Sequence, residues 1–175
     1  MTAVTNITTE VCQCWRHATP MGEMVLAAEG EHLIGAWFVG QKHYASTLRN
    51  RAVCWQRTAA IDAAICWLDA YFAGKRPSWL PKLRLIGTPW QTAVWQHLQR
   101  IAYGETTTYG AIAREMAQRT GKEKMSAQAV GQAVGANPIA IAIPCHRVVG
   151  AKGKLTGYAG GLDKKEWLLR HEGWL

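Results

Sequence analysis

A chain of 175 residues, 49% apolar and with nine tryptophans, can bury one sizeable core or two small ones, which argues against disorder. Twenty Lys and Arg against twelve Asp and Glu leave a formal charge of +8, the sign that suits a polyanion such as nucleic acid. No run reaches membrane-span length, the opening MTAVTNITTEVCQCW has neither a charged start nor a long apolar stretch, and five cysteines keep no disulfide-framework spacing, so a cytoplasmic protein with reduced thiols and no export leader is expected.

The stretch CQCWRH, from Cys12 to His17, brings two thiols and an imidazole together. No second ligand pair stands at zinc-finger spacing, so ordinary free cysteines are the reading and no metal is expected. EMVLAAEGEHLIGAWFVG then reads as two strands around a polar turn, Glu29 to His32, which predicts a hairpin. AAIDAAICWLDAYFAG places Ile61, Ile65, Leu68 and Phe72 at helical spacing, with Gly74 as a stop. KRPSWLPKLRLIG, with Pro77, Pro81 and several basic residues, suits a linker. The expected class is α+β. A small domain with an antiparallel sheet and a helix occupies 1–84, and a mostly helical domain occupies 85–175.

The second half carries legible caps. Thr88 followed by Pro89 opens a helix over WQTAVWQHLQRI, with Ala93, Val94, Leu98 and Ile101 facing inward. YGE makes a turn, and the TTT run caps YGAIAREMAQ. After RTGKEKM, Ser126 caps AQAVGQAVGA, which Asn137-Pro138 ends. Two short helices joined by a turn, the second rich in Ala and Gly, suit a helix-turn-helix; the same pattern also suits a tight helix–helix contact in a core. In LDKKEWLLRHEGWL, Asp163 and Glu166 form a capping-box-like pair, Trp167 and Leu168 share a face, and Gly173 closes the helix.

Between these helices an apolar run ends in Pro-Cys-His-Arg, Pro144 to Arg147. A thiol at its ordinary pKa of about 8.5 is mostly protonated at neutral pH, so a nucleophilic cysteine needs a base or a positive field. His146 is next in sequence, but neighbours on a strand point to opposite faces. The two can cooperate only if the strand ends or bends at Pro144, or if a water bridges them. A histidine base needs an acid partner. The carboxylates that follow are Asp163, Glu166 and Glu172, and capping occupies the first two. At this level Cys145 is either a nucleophile or a buried structural cysteine.

IPCHRVVG, with GETTTYGAIA and GANP before it, TGYAGG after it and KKEWLLRHEG at the end, resembles the O6-alkylguanine-DNA alkyltransferases, densely over residues 88–174. The earlier stretch ATPMGEMVLAAEGEHLIGAWF is similar to that family's N-terminal sheet, more loosely. The resemblance implies irreversible, single-turnover transfer of an alkyl group from O6-alkylguanine, with O4-alkylthymine left open, in double-stranded DNA. It makes Cys145 the acceptor, His146 the base acting through a water, and Glu172 the group orienting His146. Asn137 would buttress the helix-turn-helix against the active-site strand. Tyr109 would help extrude the base and serve as hydrogen-bond donor to the leaving guanine. Val148, Tyr158, Ala159 and Gly160 would line the guanine pocket, with Gly161 beside them. Arg147 is assigned a structural role. Ser126, Gln128 and Ala129 would face the DNA. No metal or organic cofactor is implied, no membrane, and a monomer, with cooperativity on DNA left open.

Two departures stand out. The family's usual arginine on the recognition helix is replaced by Gln128, which can hydrogen-bond an orphaned base but carries no charge. The turn RTGKEKM is also longer than expected; Lys122 and Lys124 are read as part of a solvated loop, with phosphate contact the other reading. The competing function is a non-catalytic sensor of alkyl lesions, against which the presence of Cys145 argues. A cysteine hydrolase would explain neither the paired helices nor the charge.

Overall fold

The computed structural model describes residues 11–175; most of the stretch read for an export leader lies outside the described residues. Three strands come first: β1 (Cys12–Thr19), β2 (Gly22–Glu29) and β3 (His32–Phe38), antiparallel in sequence, with Gly30 at φ 57° in the turn of the expected hairpin. A short β4 (Val53–Trp55) runs parallel to β1, giving the order β3-β2-β1-β4. Strand β2 is a continuous apolar run because both faces of the sheet are covered. Met24, Leu26 and Ala28 join the main core, while Val25 and Ala27 pack with Cys12, Cys14, Ile34 and Trp37 on the opposite face. The first two cysteines are therefore core residues. Among the described residues, no group of three or more His, Cys, Asp or Glu is placed to hold a metal ion.

Helix α1 (Ala59–Phe72) starts where the Thr58 hydroxyl accepts the Ile61 N–H, buries Ile61, Ile65 and Leu68, and stops before Gly74 at φ 77°. Residues 75–87, read as a linker, are not a loose tether. The Leu33 N–H donates to the Lys82 carbonyl at 2.8 Å and the Leu33 carbonyl accepts from Arg84 at 3.0 Å. Further along the same edge Ala36 donates to Pro138 and accepts from Ala140, both at 2.9 Å. Both segments cover the edge of β3 that would otherwise be open to another strand.

Helix α2 (Pro89–Leu98) begins with a full capping box, Thr88 and Gln91 each bonding the other's backbone N–H. Val94 and Leu98 are buried; Ala93 and Ile101 are half-buried, and Trp95 fills the core beside them. Thr108 caps α3 (Tyr109–Thr120), and Ser126 caps α4 (Ala127–Gly135) across the connection 121–126. Two residues before α3, β5 (Thr107–Thr108), pair in parallel with β6 (Val148–Val149). Helix α5 (Leu162–His171) closes the fold, with Gly173 at φ 78° behind it.

Three local expectations are corrected. The cap of α5 is Gly161, at φ 99°, with no side-chain capping bond; Asp163 sits in the first turn and Glu166 pairs with Arg170 at 2.7 Å. Trp167 and Leu168 do not share a face: Leu168 is buried, and Trp167 lies at the surface stacked on His171 at 4.9 Å. The apolar run before Cys145 is a buried loop rather than a strand. It makes only isolated bridges, and Ile141 takes φ 71°, a conformation rare for a β-branched residue. One buried cluster joins β2, β3 and α1 to α2, α3, α4 and this loop.

Candidate active site

The loop between α4 and Cys145 is held by one side chain. Asn137 Nδ2 donates to the Ile143 carbonyl at 2.7 Å and to Cys145 Sγ at 3.1 Å, while its Oδ1 accepts the Ile139 N–H at 3.0 Å. An amide is suited to this, since it donates and accepts from one rigid plane. At Pro144 the chain turns into a short 3-10 helix, Cys145 to Arg147. Cys145 and His146 therefore sit on a helical turn and not on a strand, which removes the opposite-face problem that strand neighbours would have.

His146 points inward and is fully buried, its Nε2 2.7 Å from Glu172 Oε1. A carboxylate only accepts, so Nε2 carries the hydrogen and Nδ1 keeps its lone pair. Nδ1 is buried with no hydrogen-bond partner among the described residues, and no direct hydrogen bond joins it to Cys145. Glu172, at the end of α5, is held from several sides. Tyr71 Oη donates to Oε1 at 2.7 Å, the Gly104 N–H to Oε2 at 3.1 Å, and Arg147 spans both oxygens at 2.8 and 3.0 Å. Arg147 also donates to the Ile101 carbonyl at 2.6 Å, so its fork cannot swing away.

Burial raises the Cys145 thiol above its ordinary value, against the lowering effects of the Asn137 hydrogen bond, the Lys165 charge and two backbone amides. The resting group is a thiol that needs a base. Burial lowers His146, with the Glu172 hydrogen bond and charge opposing, so the imidazole is neutral and able to accept a proton. Burial alone would raise Glu172, but the hydrogen bonds and charges of His146 and Arg147 outweigh it and hold the carboxyl well below the usual range. The arrangement suits thiol deprotonation by a neutral, oriented imidazole.

Sequence reasoning missed two members of this cluster. Lys165 is fully buried, and its Nζ donates to the carbonyls of Val148 (2.5 Å), Thr156 (2.8 Å) and Gly157 (3.0 Å). Burial lowers its pKa to about 8, with the neighbouring Cys145 opposing. The signal was present: Lys165, Leu168, Leu169 and Glu172 fall at i, i+3, i+4 and i+7, so a lysine occupies a core stripe. Tyr71 had no such signal, because its partner is 101 residues away.

Cys145, 6% exposed, lies at the floor of a cleft of about 940 Å³. Tyr109, Gln128, Tyr158 and Ala159 line it, with Gly131 and Gln132 from α4 beside them. Val148, Gly160, Asn137, Ser126 and Ala129 do not. Val148 lies behind the site and gives its carbonyl to Lys165. Gly160 backs the wall: a Cβ there would meet the Tyr158 ring at 2.9 Å and Phe38 at 3.3 Å. Ser126 spends its hydroxyl on the α4 cap, and the Ala129 carbonyl accepts the Trp90 indole at 3.4 Å. The Tyr109 hydroxyl donates to the Thr156 carbonyl at 2.9 Å, whereas the Tyr158 hydroxyl is buried without a partner among the described residues.

Residues 89–174 match the family model described as the 6-O-methylguanine DNA methyltransferase DNA-binding domain. A Mycobacterium leprae protein named methylated-DNA–protein-cysteine methyltransferase is 42% identical over 160 residues, 91% of each chain. One of the same name from Methanosarcina acetivorans is 57% identical over 106 residues, 61% of this chain and 65% of its own length. The crystal structure of Mycobacterium tuberculosis O6-methylguanine methyltransferase superposes with a TM-score of 0.75 at 40% identity, over 92% of both chains. That of Mycobacterium tuberculosis OGT in complex with DNA gives 0.77 at 39% identity, over 91% of this chain and 92% of the other.

Proposed function

The chain belongs to the methylated-DNA–protein-cysteine methyltransferase family, and we propose that it repairs double-stranded DNA by moving the alkyl group of O6-alkylguanine onto Cys145, irreversibly and once per molecule. The observation that carries the residue assignment is the buried thiol at a cleft floor, backed by a neutral imidazole whose far nitrogen is fixed by a carboxylate.

The target oxygen lies inside a stacked pair, so the nucleotide must leave the helix, at a cost of a few kcal/mol. Helices α3 and α4 act as a helix-turn-helix that sets α4 against the DNA, and its small residues allow close approach. The extruded base enters between Tyr158, Ala159 and α4, with its alkyl group toward Cys145 Sγ. The thiol proton passes through a water to His146 Nδ1, and Glu172 stabilises the imidazolium that forms. A sulfur–carbon bond forms as the carbon–O6 bond breaks, and guanine leaves with negative charge on its ring system. The unpartnered Tyr158 hydroxyl is in place to donate to that charge; Tyr109 would first have to release Thr156. The alkyl donor is the lesion itself, so the chemistry is complete without a cofactor. Water does not readily cleave the thioether, and the protein is consumed.

In this reading residues 85–175 carry the reacting groups while 1–84 support them, and the protein works as a cytoplasmic monomer. Mixing it with excess duplex carrying one O6-methylguanine should release one repaired guanine per protein, with the methyl group on the Cys145 peptide by mass spectrometry. Cys145→Ser should transfer nothing while still binding the duplex. Turnover beyond one equivalent, or methyl on another cysteine, would overturn the assignment.

A further inference from the structure

We propose that Lys42, in the loop after β3, contacts the phosphate backbone beside the extruded nucleotide, bringing from the N-terminal half the positive charge that α4 lacks at Gln128. The inference rests on the duplex-repair reading above and concerns a part of the chain that carries none of the reacting groups.

Several elements line the cleft, two of which matter here. One is α4, which presents Gln128, Gly131 and Gln132, all neutral. Lys42 and His43 come from the other direction, and Lys42 is the only lysine or arginine among the described residues lining the cleft. No aspartate or glutamate among the described residues lines it. The Lys42 ammonium also has no ion-pair partner among the described residues, whereas Arg16, Arg51, Arg57 and Lys82 of the same half each pair with a carboxylate.

The loop is built to hold this position. The Gln41 side chain accepts the Phe38 N–H at 2.8 Å, and the Lys42 N–H donates to the Ala159 carbonyl at 3.1 Å. The Thr47 hydroxyl bonds the Ile34 carbonyl at 3.1 Å, and Leu48 packs on the outer core. Gly40, His43 and Ala45 take φ of 81°, 60° and 54°, a tightly wound backbone that non-glycine residues adopt only when their surroundings impose it. Lys42 is thereby bonded through its own backbone to Ala159, a wall of the pocket that receives the base. An extruded base takes its sugar to the pocket mouth but leaves its phosphates at the rim. An unpaired ammonium carried on a backbone anchored at that rim, facing solvent and close to an uncharged helix, would meet a polyanion there.

The test compares Lys42→Gln, Lys42→Arg and, for the loss of one charge elsewhere, Lys82→Gln. Binding to an O6-methylguanine duplex is measured across a salt series in the Cys145→Ser background, and single-turnover transfer is measured with Cys145 intact. Lys42→Gln is expected to weaken binding several-fold at low salt and to flatten the dependence of log K on log salt by about 0.9, the value for one phosphate contact. Lys42→Arg should keep the parent slope, and Lys82→Gln should change it less than Lys42→Gln. An unchanged slope in Lys42→Gln overturns the proposal. So does an equal loss of transfer from free O6-benzylguanine, which has no phosphate, since the loop would then serve the pocket's shape. If the parent chain itself moves no methyl from duplex to Cys145, the functional reading fails instead.

Discussion

The relay behind Cys145 and the cleft in front of it are built on opposite principles. Behind, Glu172 is gripped by Tyr71, Gly104, His146 and Arg147, and Lys165 ties three carbonyls. Among the described residues the one unpartnered atom of this cluster is His146 Nδ1, which on the proposed mechanism receives the thiol proton. In front, the Tyr158 hydroxyl has no partner among the described residues, and the side chains of Lys42 and Gln128 are left to solvent. On the proposed mechanism, the groups that act in the transfer are locked by the protein, and the groups that would meet the DNA are left for the DNA to satisfy. Substitutions behind the cysteine should therefore be costly with any substrate. Substitutions in front should matter only when the duplex is present.

The largest effect expected on this comparison is in the relay. His146→Ala and Glu172→Gln should each slow single-turnover transfer by about 10²–10⁴-fold, with free base and duplex alike, the range for a lost general base. The double variant should be little slower than either single one, because the two act as a unit. Additive losses would show separate roles.

Tyr71→Phe tests the grip on the carboxylate from the N-terminal half. Loss of a hydrogen bond to a buried charge should cost about 1.5–3 kcal/mol of stability by urea denaturation near neutral pH. Glu172 holds its proton more weakly folded than at its ordinary value of 4.5, so its contribution is complete above that pH and is lost as pH falls through the lower folded value. The Tyr71→Phe deficit should accordingly be full above about 4.5 and narrow in acid. A deficit independent of pH would mean that Tyr71 acts by packing alone.

The smallest effect belongs to the cleft mouth. Gln128→Ala should slow duplex repair by about 2–10-fold, the worth of one neutral hydrogen bond, and leave transfer from free O6-benzylguanine untouched. Gln128→Arg should raise duplex affinity and steepen its salt dependence. If neither variant changes duplex repair, Gln128 is a bystander, and the contrast between the two sides of the cysteine loses one of its supports.

What could be read from the chain alone follows the range of the interactions involved. Thr88, the TTT run that ends in Thr108, and Ser126 were legible as caps because a cap bonds a backbone three residues away. Strand β1 was missed because only Cys12 and Cys14 alternate inward before Trp15 and Arg16 run out to solvent. Asp163 and Glu166 were assigned to a cap that Gly161 makes through its backbone conformation. Glu172 was reached by elimination from that mistaken premise and by resemblance; the structure puts it on His146 for a different reason, the stripe it shares with Lys165 and Leu168. Tyr71 and Lys42 were out of reach, since each meets its partner only after the two halves of the chain have packed together.

The indoles of α2 have a kinetic consequence. Trp95 donates to the Ala133 carbonyl at 2.8 Å and Trp90 to the Ala129 carbonyl at 3.4 Å, fastening α4 along its length to the helix behind it. The ordering entropy of that short, glycine-containing helix is thus spent during folding and not at each encounter with DNA. On the proposed reading α4 meets the duplex already rigid, so association needs no ordering step in that helix.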